Sequence, residues 1–524
     1  MKKDGGVKID DGANVKPSDE ANVKLKNKLD KKIRERLLVL SENHFWSCIL
    51  FFIFLFMTLT LAIGMAQSVW FDEAYSITLA KKSVEELVHL TAIDVHPPVY
   101  YLFLHFWGGI FGFNELSLRV SSLIMMATAI ILMAELLKKL FSKRFAVFAT
   151  FLLCLSPMLI RYGFEIRMYA MATMLAILAT LVLVNLENEK ILRRRRLLQL
   201  SYAILVAIGM LTLYYTIVIW LTHAAYLIWQ TVKNKKSLIR QEFWLVYALA
   251  VLFFMPWMLV AIKQFTNGAL AQISEPMTVN NLLGIFSFNL LYKPIWQLDQ
   301  IFGLLILGFI VLFGVLLAKV LVKKQKNANY LIFLAAGPLV VEILICLIKP
   351  MYVERYLVYS APFLITLIAY LVFEAKAKLR YVSLAYLFGL VIFGIINLAQ
   401  VGNFNFQRMQ KPDIREVSED LRESEKNKVV PILTDSPYEA IELSFYLNDE
   451  LYLFAPYDTL AGGYAPLNKS KFQVKNTEKL KKFSCVRYVY YDAKLEPQFL
   501  QSGFIKTKNE ETSRALKYTE FCKK

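Results

Sequence analysis

Asp72, Glu73, Asp94 and His96 fall within one stretch, "WFDEAYSITLAKKSVEELVHLTAIDVHPPVYYLFLHFW" (70–107), that follows directly on a long apolar run. Carboxylates there can take a proton from a hydroxyl, and arginines can hold an anion on their planar fork of N–H groups. Further charges come from three other segments: Glu115 and Arg119 in "NELSLRVSS", Arg161, Glu165, Arg167 and Tyr169 in "RYGFEIRMY", and Glu354, Arg355 and Tyr356 in "MYVERY". An ionisable residue at an apolar boundary is costly, so each is a functional hypothesis by default. Asp72 is the sharpest case, because no Lys or Arg stands near it in sequence.

The elements that must position these residues are membrane helices. The chain has 524 residues, of which 57% are hydrophobic and 14% aromatic, and its mean hydropathy is +0.45, outside the range of ordinary soluble domains. Crossing about 30 Å of hydrocarbon takes roughly 20 helical residues. Such runs are expected near 46–66, 115–137, 145–161, 168–186, 200–215, 216–231, 242–262, 299–321, 329–348, 355–374 and 381–400, about eleven spans, with the pair between 200 and 231 readable as one long broken helix. The net charge of +18 reports topology rather than a nucleic-acid partner: "KKIRER", "KKLFSKR", "RRRR", "KNKK", "KKQK" and "KAKLR" all fall in loops that the positive-inside rule places in the cytoplasm. The charged candidates then share the outer face. "PPVYYLFLHFWGGIFGF" is too short to cross and is broken by Gly108, Gly109 and Gly112; it reads as an interface helix with Tyr100, Tyr101 and Trp107 at headgroup level.

The expected organisation is a disordered cytoplasmic tail (1–45), a transmembrane catalytic domain (46–402) and a soluble extracytoplasmic α/β domain (403–524), whose opening alternates a charged amphipathic helix pattern with the strand pattern "VVPIL". The first apolar run reads as an uncleaved signal anchor in a plasma-membrane protein whose N-terminus is cytoplasmic. Cys48, Cys154 and Cys346 read as small hydrophobes, while Cys485 and Cys522 are the two that could pair. Plain readings account for other residues: Arg161 and Lys263 as snorkelling cations, His89 and His105 as solvent-facing or helix-packed, and Glu85 and Glu86 beside Lys81 and Lys82 as a solvated helix face.

"FDEAYS", "DVHPPVYYLFLHFWGGIFG", "NELSLRVSS" and "SPMLIRYGFEIRMYAM", in that order, resemble the membrane glycosyltransferases of the GT-C fold, closest to the bacterial relatives of protein O-mannosyltransferases and of aminoarabinose transferases (the glycosyltransferase family 39-like group). "ERYLVYSAPF" is similar to a late Arg-Tyr motif of that group. The resemblance implies inverting transfer of a sugar from a polyprenyl-phosphate donor to a cell-envelope polymer, lipid or protein at the outer face. It makes Asp72, beside Glu73, the catalytic base. A carboxylate of pKa about 4 is a weak base, and partial burial would strengthen it. Arg119, Arg167 and Arg355, supported by His96 and Tyr356, become the donor-phosphate ligands. Asp94, Glu165 and Tyr169 become contacts to sugar or acceptor, with Glu165 able instead to orient Arg167, and Arg119 and Glu115 able simply to pair with each other. Donors of this kind imply no essential cofactor, although Asp72, Glu73, Asp94, Glu165 and His96 could supply a divalent ion with hard ligands. A separate enzyme that makes the charged lipid is an implied partner. The chain departs from the pattern at Tyr214 and Tyr215, where relatives often carry a His.

Two other classes compete. A lipid flippase also suits many spans and outer arginines, yet its charges belong near the midplane and its halves should repeat. A non-catalytic scaffold would use the outer domain to bind cell-wall polymer. Asp72→Asn separates the three: only the enzyme should lose its function.

Overall fold

The computed structural model describes residues 42–266 (apart from 235 and 236), 278–292 and 300–401 (apart from 324, 350 and 351). Beyond 413 it describes 414–423, 430–447, 451–454, 473–474, 482–490, 494–507, 511–513 and 516–523. Residues 1–41 of the expected tail and the expected boundary at 402/403 lie outside the described residues.

The helical body is built as follows. α1 (Phe45–Met65) is followed by three short helices, α2 (Phe71–Ala80), α3 (Val84–Ile93) and α4 (Val99–Phe111), and then by the long α5 (Glu115–Leu140). α6 (Lys143–Cys154) and α7 (Pro157–Phe164) are bent by 64° at a break, where the Ser156 side chain accepts from Leu159 N–H and Pro157 starts α7, a position that needs no N–H. α8 (Tyr169–Asn188), α9 (Leu192–Thr212), α10 (Ile217–Asn234), α11 (Ser237–Thr266), α12 (Val279–Leu291), α13 (Gln300–Lys323), α14 (Lys326–Ile348), α15 (Ala361–Glu374) and α16 (Ala377–Val401) follow, with a 3-10 segment, Glu354–Ser360, leading into α15. α5 is the hub, packed by α1, α6, α7 and α8.

Among the described residues, nine helices are long and apolar enough to cross a membrane, and the bent pair α6–α7 makes a tenth if counted as one span. The eleventh expected stretch, 216–231, is helical as α10 but is not among them; Thr222, His223 and Gln230 dilute its apolar character, and all three are buried. α9 and α10 are separate helices divided by a 3-10 turn at Tyr214–Thr216.

The interface stretch differs from expectation in two respects. α4 runs unbroken through Gly108 and Gly109 and ends at Gly112, whose φ of +85° suits only glycine. Gly108 serves packing, since a Cβ there would lie 2.3 Å from the Phe113 ring. Tyr100 and Tyr101, expected as interface residues, also do not present themselves on the surface of α4. They are buried in the protein, while Phe106, Ile110 and Phe111 on the same helix are exposed.

The C-terminal domain carries a sheet flanked by α17 (Ile414–Glu423), α18 (Pro437–Leu447) and α19 (Glu496–Gln501). Its strands are β1 (Ile432–Thr434), β2 (Leu451–Phe454), β3 (Gln473–Val474), β4 (Cys485–Tyr490), β5 (Phe504–Lys506), β6 (Glu511–Ser513) and β7 (Leu516–Lys523), in the order β3-β2-β1-β4-β7-β5 with β6 also on β7. β3, β2, β1 and β4 are parallel; β7 is antiparallel to β4, β5 and β6. Alternation along β1 serves two cores: Ile432 belongs to the one that holds Val417 and Leu421 of α17, and Leu433 to the one that holds Phe499 of α19. Cys485 and Cys522, opposite each other on β4 and β7, form a disulfide.

Candidate functional site

α2 begins the site. Asp72 and Glu73 occupy its first turn, where the unpaired N–H groups and the positive end of the helix favour carboxylates. Their surroundings then divide them. Asp72 keeps a partly exposed side chain, and its Oδ2 lies 3.6 Å from Nη1 of Arg355, brought in by the 3-10 segment before α15. Glu73 is fully buried: its Oε1 accepts from Ile166 N–H (2.9 Å) and pairs with Arg119 (3.2 Å), and its Oε2 accepts from Trp70 N–H (3.3 Å).

Arg167 organises the floor. It is buried, and its Nη1 donates to Tyr101 Oη (3.1 Å), Ser76 Oγ (3.2 Å) and the Asp72 carbonyl (3.4 Å). Its Nη2 lies 3.1 Å from His96 Nε2. A guanidinium only donates, so Nε2 is the acceptor and the imidazole proton sits on Nδ1, which faces Asp94 Oδ2 at 3.7 Å. Tyr75 Oη donates to that same Asp94 oxygen at 2.8 Å. Burial pushes the His96 pKa below its ordinary value, with Asp94 opposing and Arg167 reinforcing the shift. Burial alone would raise Asp94, but His96 and the Tyr75 hydroxyl outweigh it and hold the carboxyl low.

The upper wall is aromatic. Arg355 lies 6.0 Å from the Trp70 ring and 5.8 Å from the Tyr356 ring, within cation–π range. Tyr356 packs 4.7 Å from Tyr215 and 6.4 Å from Tyr169. Tyr169 is buried, and its hydroxyl has no hydrogen-bond partner among the described residues. Beside this wall opens a small cleft lined by His96, Pro97, Tyr214, Tyr215, Phe265 and Tyr356 among others. Tyr215, at the place where the resemblance expects a His, is therefore a wall residue of the cleft.

Three expected site residues, Arg119 for the phosphate, Glu73 beside the base and Glu165 for sugar or acceptor, are committed to other partners. Arg119 is fully buried and is committed to Glu73, Glu115 and the carbonyls of Gln67 and Phe164, so it presents no open N–H fork to a phosphate. Glu73 is held as above and underlies Asp72 without sharing its exposure. Glu165 pairs with Arg161 (3.1 Å), not with Arg167, and is buried. Arg161 accordingly does not snorkel: it is buried against Glu165 and donates to Tyr292 Oη (3.0 Å). Because Glu73 and Glu165 are tied to arginines in this way, the five expected hard ligands do not converge on one point for an ion. Among the described residues the one group close enough to hold a metal is Cys485, Glu520 and Cys522, and its two cysteines are already joined.

No local sequence signal marks Tyr75 and Ser76, which hold Asp94 and Arg167, or Arg415 and Tyr446 of the C-terminal domain, which hold Glu115. Each acts on a residue far along the chain or from an ordinary-looking helix.

A family model described as dolichyl-phosphate-mannose-protein mannosyltransferase matches residues 95–259, a segment holding His96, Arg119, Arg161, Glu165, Arg167 and Tyr169 but not Asp72 or Arg355. No curated protein matches the chain significantly. Among solved structures, ArnT from Cupriavidus metallidurans in its apo state superposes with a TM-score of 0.62 at 10% identity, covering 90% of this chain and 97% of that one. The same protein bound to undecaprenyl phosphate gives 0.62 at 11% identity, with the same coverage. The chain is thus a multi-pass membrane protein with the ArnT-like GT-C fold.

Proposed function

We propose that the chain transfers a sugar from a polyprenyl phosphate to an acceptor at the outer face of the plasma membrane, with inversion. The observation that carries this reading is the pair Asp72–Arg355, a carboxylate and a guanidinium 3.6 Å apart on helices distant in sequence, close to the His96–Tyr356 cleft. The mannosyltransferase family match and the fold shared with ArnT, one structure of which holds undecaprenyl phosphate, support it.

In this reading the acceptor hydroxyl oxygen attacks the anomeric carbon, its proton passes to Asp72, and the bond from that carbon to the phosphate oxygen breaks. Negative charge builds on the departing phosphate, and Arg355 stabilises it there. Without donor, Arg355 faces Asp72. A bound phosphate competes for the guanidinium and frees the carboxylate as a base. Arg167, through His96 and the Asp72 carbonyl, holds the floor against which the sugar sits. No step passes through a metal. The acceptor is a cell-envelope polymer, lipid or protein, and the donor comes from a separate lipid-charging transferase. The N-terminus lies in the cytoplasm and the C-terminal domain outside; the disulfide suits that oxidising side.

The test is the sugar composition of envelope polymers in a deletion strain complemented with wild type or Asp72→Asn at equal expression. One sugar should vanish in the deletion and return with wild type alone. Full restoration by Asp72→Asn would remove Asp72 as the base and favour a flippase or scaffold.

A further inference from the structure

The C-terminal domain grips the segment that leads into Asp72. From α17, Arg415 Nη1 donates to the Met65 carbonyl (2.9 Å), and its Nη2 donates to the Gln67 carbonyl (3.0 Å) and to Glu115 Oε1 (2.7 Å). From α18, Tyr446 Oη accepts from Val69 N–H (2.8 Å) and donates to Glu115 Oε2 (3.2 Å). Tyr438, also on α18, stacks on Phe71 with ring centroids 4.3 Å apart and planes within 10°. Positions 65, 67, 69 and 71 are therefore each held by a side chain of the outer domain.

Arg119 meets the same stretch from below. Its Nη2 donates to the Gln67 carbonyl at 3.0 Å and lies 2.9 Å from Glu115 Oε1, and its Nη1 reaches Glu73. Arg415 and Arg119 thus share two acceptors. Glu73 in turn accepts from Ile166 N–H, next to Arg167. A continuous chain of charged groups, Arg415–Glu115–Arg119–Glu73, runs from the outer domain to the residue beside Asp72. The Met65 carbonyl, at the end of α1, lacks an intrahelical donor and takes one from Arg415, while the Gln67 carbonyl just beyond takes one from each arginine.

We propose that Arg415 is a positioning residue for Asp72: with Tyr446 and Tyr438 it fixes residues 65–71, so that the first turn of α2 holds the Asp72 carboxylate opposite Arg355. This rests on Asp72 being the base. The C-terminal domain is then a working part of the transfer site.

The test uses the full-length protein in nanodiscs, as wild type, Arg415→Ala and Arg415→Lys, with Tyr446→Phe as a milder variant should Arg415→Ala fail to fold. Hydrogen–deuterium exchange is read over residues 66–80. Release of undecaprenyl phosphate is read from a panel of undecaprenyl-phosphate-linked pentoses and hexoses, with envelopes of the deletion strain as acceptor. Arg415→Ala should exchange faster over 66–80 and lose about ten- to a hundredfold in kcat, as expected for misplacement of a reacting group, with donor KM within about twofold. Arg415→Lys should recover part of the kcat. Tyr446→Phe should fall in the same direction by about threefold, a fraction of that misplacement effect. Faster exchange with unchanged kcat would reduce Arg415 to an anchor, and unchanged exchange would remove the clamp altogether. If wild type itself releases nothing from any donor, the transfer reading fails while the exchange result still judges the clamp.

Discussion

The carboxylate of Asp72 faces the guanidinium of Arg355 at 3.6 Å, with each side chain about one-fifth exposed. This partial exposure sets the pair apart from the fully buried Arg119–Glu73 pair one residue away. A group that reacts with a ligand must remain reachable, whereas one that supports it need not.

Asp72→Asn keeps the size and the helix-start position of the side chain but removes the base. Transfer should fall by about 10²- to 10⁴-fold, the usual range for a general base, while donor affinity stays the same. Single-turnover release of undecaprenyl phosphate, together with donor binding by the same variant, measures both. A rate within a factor of two of wild type would remove Asp72 from the chemistry.

Arg355 and Arg167 should separate under substitution. Arg355→Lys keeps a charge but loses the planar fork, so donor KM should rise by roughly tenfold, with further loss in kcat if the fork serves the transition state. Arg167→Lys loses several of the donations to Tyr101, Ser76, Asp72 and His96, so it should lower the thermal midpoint as well as the rate. Equal stability losses in the two variants would contradict the division.

Much of the fold was readable because membrane spans obey simple constraints of length and polarity. The cluster of Asp72, His96, Arg167 and Arg355 was also legible, since charge at an apolar boundary stands out. Which member faces a ligand was not. Glu73 and Asp72 are neighbours in the same helical turn, and only the packing of α5 and α7 decides that Glu73 is enclosed. Arg161 looked like an interfacial cation because one of its partners, Tyr292, follows directly on α12, far along the chain. Arg415 lies in an amphipathic helix whose pattern says only that one face is solvated.

The His96 imidazole gives a pH prediction. Burial, with Arg167 nearby and despite Asp94 and Asp72, holds its folded pKa below the ordinary value of about 6.5. Between those two values the unfolded chain binds a proton that the folded protein does not, so stability rises with pH and falls as pH drops below about 6.5. Asp94, also held low, contributes stability that is lost only at lower pH, as the solution falls through its folded pKa below the ordinary value of about 4. Thermal midpoints from pH 7 to pH 5 should decline in wild type and decline less in His96→Gln, whose amide oxygen can still accept from Arg167. Parallel slopes would exclude His96 as the source.

Glu73 is expected to act through structure. Glu73→Ala leaves Arg119 without one of its two acids and the N–H groups of Ile166 and Trp70 without their acceptor. That should cost about 3 kcal/mol. Glu73→Gln keeps the acceptor and should cost less. Asp72→Asn, by contrast, should leave the thermal midpoint nearly unchanged. The order of the three midpoints in one detergent decides the matter: if Glu73→Ala melts with wild type yet loses activity, Glu73 belongs to the chemistry after all.

The disulfide between Cys485 and Cys522 offers a test of sidedness. Disulfides persist outside the cytoplasm and are kept reduced within it, and the pair joins strands β4 and β7 that already lie in register. A variant that retains only these two cysteines should resist a membrane-impermeant maleimide on intact cells. It should react after an impermeant phosphine has reduced the bond, because both reagents then reach the outer domain. A single cysteine placed in the "RRRR" segment, as Arg194→Cys, should stay unlabelled until the cells are opened. Labelling of Arg194→Cys on intact cells would invert the topology and move Asp72 away from the outer face, and the proposed transfer would have to be relocated with it.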